Sequence, residues 1–140
     1  MGYYQTFNNV FQQVKSTLED ISSLKQVVLG EQFRLANLPL AIINPASSVF
    51  SQGEIGDMLE NTLEFEVLVL IRETEPENWF TNIISPMCDV VDAVLADRTL
   101  NGTAKDCMPT SFEPGEIRMA NRLYYGGLIR FKALLFYTPS

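Results

Sequence analysis

The side chains able to do chemistry in this chain are mainly carboxylates, and eight of them fall in one stretch: Glu54, Asp57, Glu60, Glu64, Glu66, Glu73, Glu75 and Glu77, against the single base Arg72. That stretch has a balance of −7, which is the whole formal net charge, because three acids meet three bases before it and six meet six after it. A field polarised in this way on a small protein points to a surface that attracts a basic partner or keeps a polyanion from sticking, or to a negative face that serves solubility alone. Acid–base catalysis is a poor use for these groups. The chain has no histidine, so it lacks both the usual general base near neutral pH and the commonest transition-metal ligand, and an ordinary zinc site is excluded. Asp89, Asp92 and the run from Glu73 to Glu77 lie on or near a helix, where solvated charge and compensation of the helix dipole account for them. The serine pairs Ser22-Ser23 and Ser47-Ser48 have no base partner. Asn101-Gly102-Thr103 has the form of a glycosylation sequon but reads as a turn. No catalytic residue, cofactor site or metal site is expected.

Two cysteines, Cys88 and Cys107, are expected to remain thiols, Cys88 as a small buried helix residue and Cys107 in a loop. The N-terminus has neither the basic nor the apolar region of a signal peptide, so an intracellular site of synthesis is the default and secretion is not expected. The longest apolar runs, such as Val67 to Ile71, fall far short of the ~20 residues that a membrane span needs. An acidic chain is also unsuited to wrapping nucleic acid, which needs clustered Lys and Arg.

With 140 residues, one domain is expected, with a core that needs no staples. Phe7, Val10, Phe11, Val14, Leu18, Ile21 and Leu24 recur at helical spacing, with Thr6 as N-cap and Ser22-Ser23 at the exit. Gln26–Leu29 and Leu38–Ile43 read as short strands, the second closed by Asn44-Pro45. Residues 44–61 show no sustained period, although Val49, Phe50, Ile55, Met58 and Leu59 are apolar; they read as a long loop or arm that docks on a neighbour. Leu63, Phe65, Val67, Val69 and Ile71 alternate strictly, so Thr62–Arg72 reads as a strand with one buried face. Thr74-Glu75-Pro76-Glu77 has the form of a capping box that opens a second helix. Its stripe, from Trp79 at the core edge through Ile83, Met87, Val90, Val91, Val94 and Leu95, runs to about Ala96. Pro86 is expected to kink or split it.

Beyond Asn101-Gly102 the pattern suggests a meander of three strands: a weak one over Thr103–Phe112, a turn at Glu113-Pro114-Gly115-Glu116, a strand over Ile117–Tyr125, a hairpin turn at Gly126-Gly127, and a last strand over Leu128–Tyr137. Two reversals would leave the last strand parallel to the Glu64 strand. As neighbours, they would match Glu64 with Arg130, Glu66 with Lys132, Leu68 with Leu134 and Leu70 with Phe136. Both outer faces end in large apolar residues, a patch that marks a protein interface or must be covered by the arm.

This order of parts, with the helix-to-turn junction Val94-Leu95-Ala96-Asp97-Arg98-Thr99-Leu100-Asn101-Gly102 and the closing Tyr125-Gly126-Gly127-Leu128-Ile129-Arg130-Phe131, resembles the tail terminator, or tail completion, proteins of long-tailed phages and related tailed viruses. The resemblance implies an α+β fold, a mixed and mainly antiparallel sheet with two helices packed on one face. It also implies a homo-oligomeric, hexameric ring on the last ring of the tail tube, which stops polymerisation and meets the head connector at the head-tail junction of the virion. The partners would be other copies of the chain, the tail tube protein and the head connector, with DNA passing through the lumen without adhering. On that reading Glu54, Asp57, Glu60, Glu73, Glu75 and Glu77 line the channel. Val49, Phe50, Ile55, Met58, Glu64, Glu66, Arg130, Lys132, Leu134 and Phe136 meet neighbouring subunits or partners. The alternatives are another neck or tube protein of the same machine, and a small α+β ligand-binding domain or enzyme.

Overall fold

The computed structural model describes residues 2–30, 37–54, 56–71, 76–119 and 121–139, with the backbone alone for Pro76, Trp79, Met119 and Arg122. The helical spacing of Val10, Phe11, Val14 and Leu18 produces α1 (Tyr3–Glu19), which buries those four side chains. After it come β1 (Gln26–Leu29), β2 (Leu40–Gln52), β3 (Leu59–Ile71), a 3₁₀ turn (Pro76–Asn78), α2 (Trp79–Ala96), β4 (Asp106–Met119) and β5 (Arg122–Tyr137). The strands form one five-stranded sheet in the order β1-β2-β3-β5-β4. β1 lies parallel to β2 and every other neighbouring pair is antiparallel. Leu63, Phe65, Val67 and Val69 of β3 and Ile129, Phe131, Ala133 and Leu135 of β5 face α1 and the Ile83, Met87, Val90 and Val94 stripe of α2 in one core. Both helices therefore cover the same face of a mixed sheet, and the fold is α+β. A smaller cluster of Val28, Leu40, Ile42, Leu70 and Tyr124 lies on the other face.

Several elements differ from the sequence pattern, each for a physical reason. α1 begins at Tyr3 after Gly2, leaving Thr6 inside the helix, because Tyr3 is anchored by hydrogen bonds to Ser48 and Asn61. Residues 44–61 are no loop: β2 continues through a bulge between Pro45 and Ser47 and forms a hairpin with β3, turning between Gln52 and Leu59. The bulge inserts a residue and inverts the alternation, which hides the strand from a period-two reading. α2 begins at Trp79 with Asn78 as N-cap; Thr74 and Glu75 of the expected capping box, like Arg72 at the expected end of β3, lie outside the described residues, as does the Trp79 side chain. The helix runs unbroken through Pro86, because Ile83 and Met87 on either side are both held in the core.

The C-terminal meander is two long strands, not three. β4 runs straight through Pro114-Gly115, and the reversal lies between Met119 and Arg122, where Asn121 adopts φ 61°. Gly126-Gly127 is strand interior. A Cβ on Gly126 would lie 1.8 Å from the Val69 carbonyl oxygen, and one on Gly127 would lie 2.4 Å from Cε of Met87, so these glycines allow close approach instead of a turn. One reversal fewer makes β5 antiparallel to β3. The two are neighbours, but the partners are exchanged: Glu64 is opposite Lys132, Glu66 opposite Arg130, Leu68 opposite Leu128 and Leu70 opposite Gly126, while Leu134 is opposite Thr62 and Phe136 opposite Glu60.

Gly126→Ala forces β5 away from the β3 backbone and should cost about 1–3 kcal/mol or more by overpacking. Gly115→Ala, where a Cβ meets nothing within 4 Å, should be near neutral. Denaturant unfolding of the two variants checks the contrast.

Candidate functional site

The side of the sheet opposite the helices carries the chain's polar and apolar surface features in bands set by strand register. In its middle, Arg130 Nε donates to Glu66 Oε1 at 3.3 Å, and Arg130 Nη1 lies 3.9 Å from Glu113 Oε2. Glu64 faces Lys132 in register, and its Oε2 accepts a hydrogen bond from Ser47 Oγ at 3.0 Å. Glu64, Glu113, Arg130 and Lys132 are exposed and Glu66 is half-buried, so each pair contributes no more than about 1 kcal/mol. Toward the hairpin end the face becomes apolar again. Val49 is 61% exposed, Met108 44% and Phe136 41%, with Leu134 half-buried among them, and the Lys105 ammonium sits 5.3 Å from the Phe136 ring centre.

A row across four strands shapes this face. Pro45 pairs with Phe65, Phe65 with Phe131, and Phe131 with Pro109, and both outer strands bulge immediately afterwards, at Pro45/Ser47 and Pro109/Ser111. The bulges leave a depression of about 340 Å³ lined by Ala46, Ser47, Glu64, Glu66, Thr110 and Arg130 over the backs of Phe65 and Phe131.

The distal hairpin is fastened to α1 by a buried polar residue that sequence reasoning missed. Asn61 is fully buried; its Oδ1 accepts from the Tyr3 hydroxyl at 2.9 Å, and its Nδ2 donates to Ser48 Oγ at 2.8 Å and to the Val49 carbonyl at 3.2 Å. Tyr3 and Ser48 hydroxyls, 2.7 Å apart, close the ring. Phe50 and Tyr137 pack edge-on against Tyr3 at 5.0 and 5.3 Å. The available sequence signal was an Asn at an inward-facing step of an otherwise apolar strand.

The predicted channel residues do not form one patch. Glu54, Asp57 and Glu60 lie at or beside the hairpin turn, whereas Glu77 lies in the 3₁₀ turn that follows the other end of β3, about 40 Å away along a strand of 13 residues. Glu54, Asp57 and Glu77 are exposed and Glu60 is half-buried. Glu73, Glu75 and Ile55 lie outside the described residues. Among the predicted interface residues, Val49 faces away from the helices and Phe50 toward them, and Met58 is half-buried at the turn.

Other polar groups are occupied structurally. Asp89 Oδ2 accepts from Ser23 Oγ at 2.7 Å, tying α2 to the segment after α1. Behind α2, Leu100, Asn101 and Gly102 all have positive φ, and Asp97 Oδ2 accepts the Asn101 N–H at 2.9 Å. Arg98 grips Asp106 through two 2.7 Å hydrogen bonds, which hold the Asp106 carboxyl below its ordinary range and push Arg98 up. Among the described residues no group of three or more Cys, Asp or Glu is placed to hold a metal ion, and no helix is long and apolar enough to cross a membrane. No protein-family model matches the chain, and no curated protein matches it significantly.

The cysteines exchange their expected roles. Cys88 is exposed on α2, while Cys107 lies in β4 opposite Ala133 on the core face. Burial, with the Asp106 carboxylate next to it, pushes the Cys107 thiol up to about 12. A thiol reagent at pH 8 should therefore label Cys88 alone until the protein unfolds. The unfolded thiol ionises around 9.0, so the stability from keeping Cys107 neutral is complete below that pH and is lost as pH rises toward about 12. Alkaline unfolding curves read this. Asn61→Ala should cost about 1–3 kcal/mol by orphaning its partners and should speed amide exchange in the distal hairpin.

Proposed function

We propose that this chain is a structural subunit of a tailed virus that caps the tail tube as a homo-oligomeric, hexameric ring, ending tube polymerisation and forming the joint to the head connector. The observation that carries the reading is the exposed apolar band of Val49, Met108 and Phe136, with Leu134, on a sheet face that no helix among the described residues covers. An exposed apolar band, crossed by Thr62 of β3 between Val49 and Leu134, next to an ordered band of charge suits a subunit contact, in which apolar contact supplies affinity and the Glu66–Arg130 region supplies register. A ring needs heterologous contacts, and a long β-hairpin projecting past the helices' core stripe offers one. The α+β architecture agrees with what the family resemblance implies.

On this reading Glu54, Asp57 and Glu60 at the hairpin end turn toward the lumen and keep DNA from adhering. Glu77, at the other end of β3, belongs to a different level of the ring.

Particles assembled without the protein should carry overlong tails without filled heads attached, and adding it back should restore length, as seen by electron microscopy. Tails of normal length joined to filled capsids in its absence would end the proposal. Reversing charge at Glu54, Asp57 and Glu60 together should slow DNA ejection while leaving rings intact; an unchanged ejection rate would remove the lumen assignment alone.

A further inference from the structure

The two long outer edges of the sheet are protected very unequally. Sheet edges offer unpaired backbone groups to any passing strand, and proteins blunt them with prolines, charges and bulges. β4 has all three: Pro109, Pro114, a bulge after Pro109, and the charged Asp106, Glu113, Glu116 and Arg118. β2 is covered by β1 only from Leu40 to Ile43. From the bulged Ala46 onward it runs Ala46-Ser47-Ser48-Val49-Phe50-Ser51-Gln52, seven residues without charge or proline, and no strand among the described residues pairs with their outer side. All but Ser48 are exposed.

The direction of the free backbone groups follows from the ladder. Gly53 N–H donates to the Met58 carbonyl at 2.9 Å, so that pair is hydrogen-bonded across the hairpin. Antiparallel alternation then turns the N–H and C=O of Gln52, Phe50 and Ser48 outward, and those of Ser51, Val49 and Ser47 toward β3. The Val49 carbonyl, bonded to Asn61 of β3, fits that order.

We propose that this edge is a strand-addition interface for a second copy of the same chain, paired antiparallel about a two-fold axis at Val49. Symmetry requires the antiparallel sense, because a two-fold contact sets the same patch against itself. In this register Ser48 faces Phe50 of the second copy and the reverse, so outward groups meet outward groups, while the two Val49 residues form the closely spaced pair. The other edge is a poor substitute, because its prolines and charges break any ladder of this length. The carboxylates opposite this edge on β3 do not oppose the contact. On the flanking strands, Glu64 beside Ser47 and Glu60 beside Ser51 of the second copy stand three strand spacings or about 14 Å apart, beyond the ~8 Å screening length at physiological salt. The inference concerns the free protein and stands independently of the tail-capping reading.

The test combines oligomeric state with cross-linking. Sedimentation of the wild-type chain over a range of concentrations should show a monomer–dimer equilibrium. Val49→Lys, which sets two ammonium groups face to face at the axis, should raise the dissociation constant by about tenfold or more. In a Cys88→Ser background, Val49→Cys should form an intersubunit disulfide under mild oxidation, because closely spaced antiparallel pairs lie within disulfide range. Thr110→Cys on the β4 edge should not. The cross-linking arm keeps the proposal testable if Val49→Lys fails to fold, as judged by circular dichroism. A chain that stays monomeric to its solubility limit, a dimer that does not cross-link at position 49, or a dimer indifferent to Val49→Lys would each overturn it.

Discussion

Phe65 and Phe131 face each other across the two central strands, their rings stacked at 5.2 Å and 15°, and both are fully buried. Phe11 of α1 meets Phe65 edge-on at 5.7 Å. This contact sets the register of β3 against β5, because a slip of one residue would turn both alternating apolar sets out to solvent. Burial of each ring supplies roughly 1.5–3 kcal/mol. The same row ends in Pro45 and Pro109, and both outer strands bulge beside it, so the packing that fixes the core on one side also produces the depression on the other.

The distal half of the sheet is held differently. There the apolar layer thins, and a closed ring of hydrogen bonds among Tyr3, Ser48 and Asn61 ties the hairpin to the first turn of α1. Such a network is costly if left incomplete and specific when satisfied. It allows the hairpin to hold a defined position although no strand or helix among the described residues covers its outer edge or outer face. The charges on that face are exposed or half-exposed and contribute little to stability.

Much of this was legible in the residues. The α1 stripe, the buried faces of β3 and β5 and the end of α2 at Ala96 follow from periodicity, β1 follows from its short apolar run, and the α+β class is what the family resemblance implies. Bulges and glycines hid the rest. The extra residue at Pro45/Ser47 disguised a strand as a loop, and Pro114-Gly115 and Gly126-Gly127 look like turns although they sit inside strands. The true reversal carries only Asn121 as a signal. One surplus turn was enough to reverse the direction of β5 and exchange its charged partners, although which residues face outward was unaffected. At the candidate site the apolar and charged bands were readable from β3 and β5, but the clamp at Asn61 was not, since its partners lie 13 and 58 positions away. The cysteine roles failed for a related reason: Cys88 lies off the α2 core stripe by phase, while Cys107 was judged a loop residue because Pro109 obscured its strand.

The meeting of Tyr3 and Tyr137 brings the first helix and the last strand to a single corner, next to Phe50. Residues 3–137 thus nearly close on themselves in space. A short linker between these two segments, with a new opening cut at the exposed Asn101-Gly102 turn, would leave every strand pairing in place.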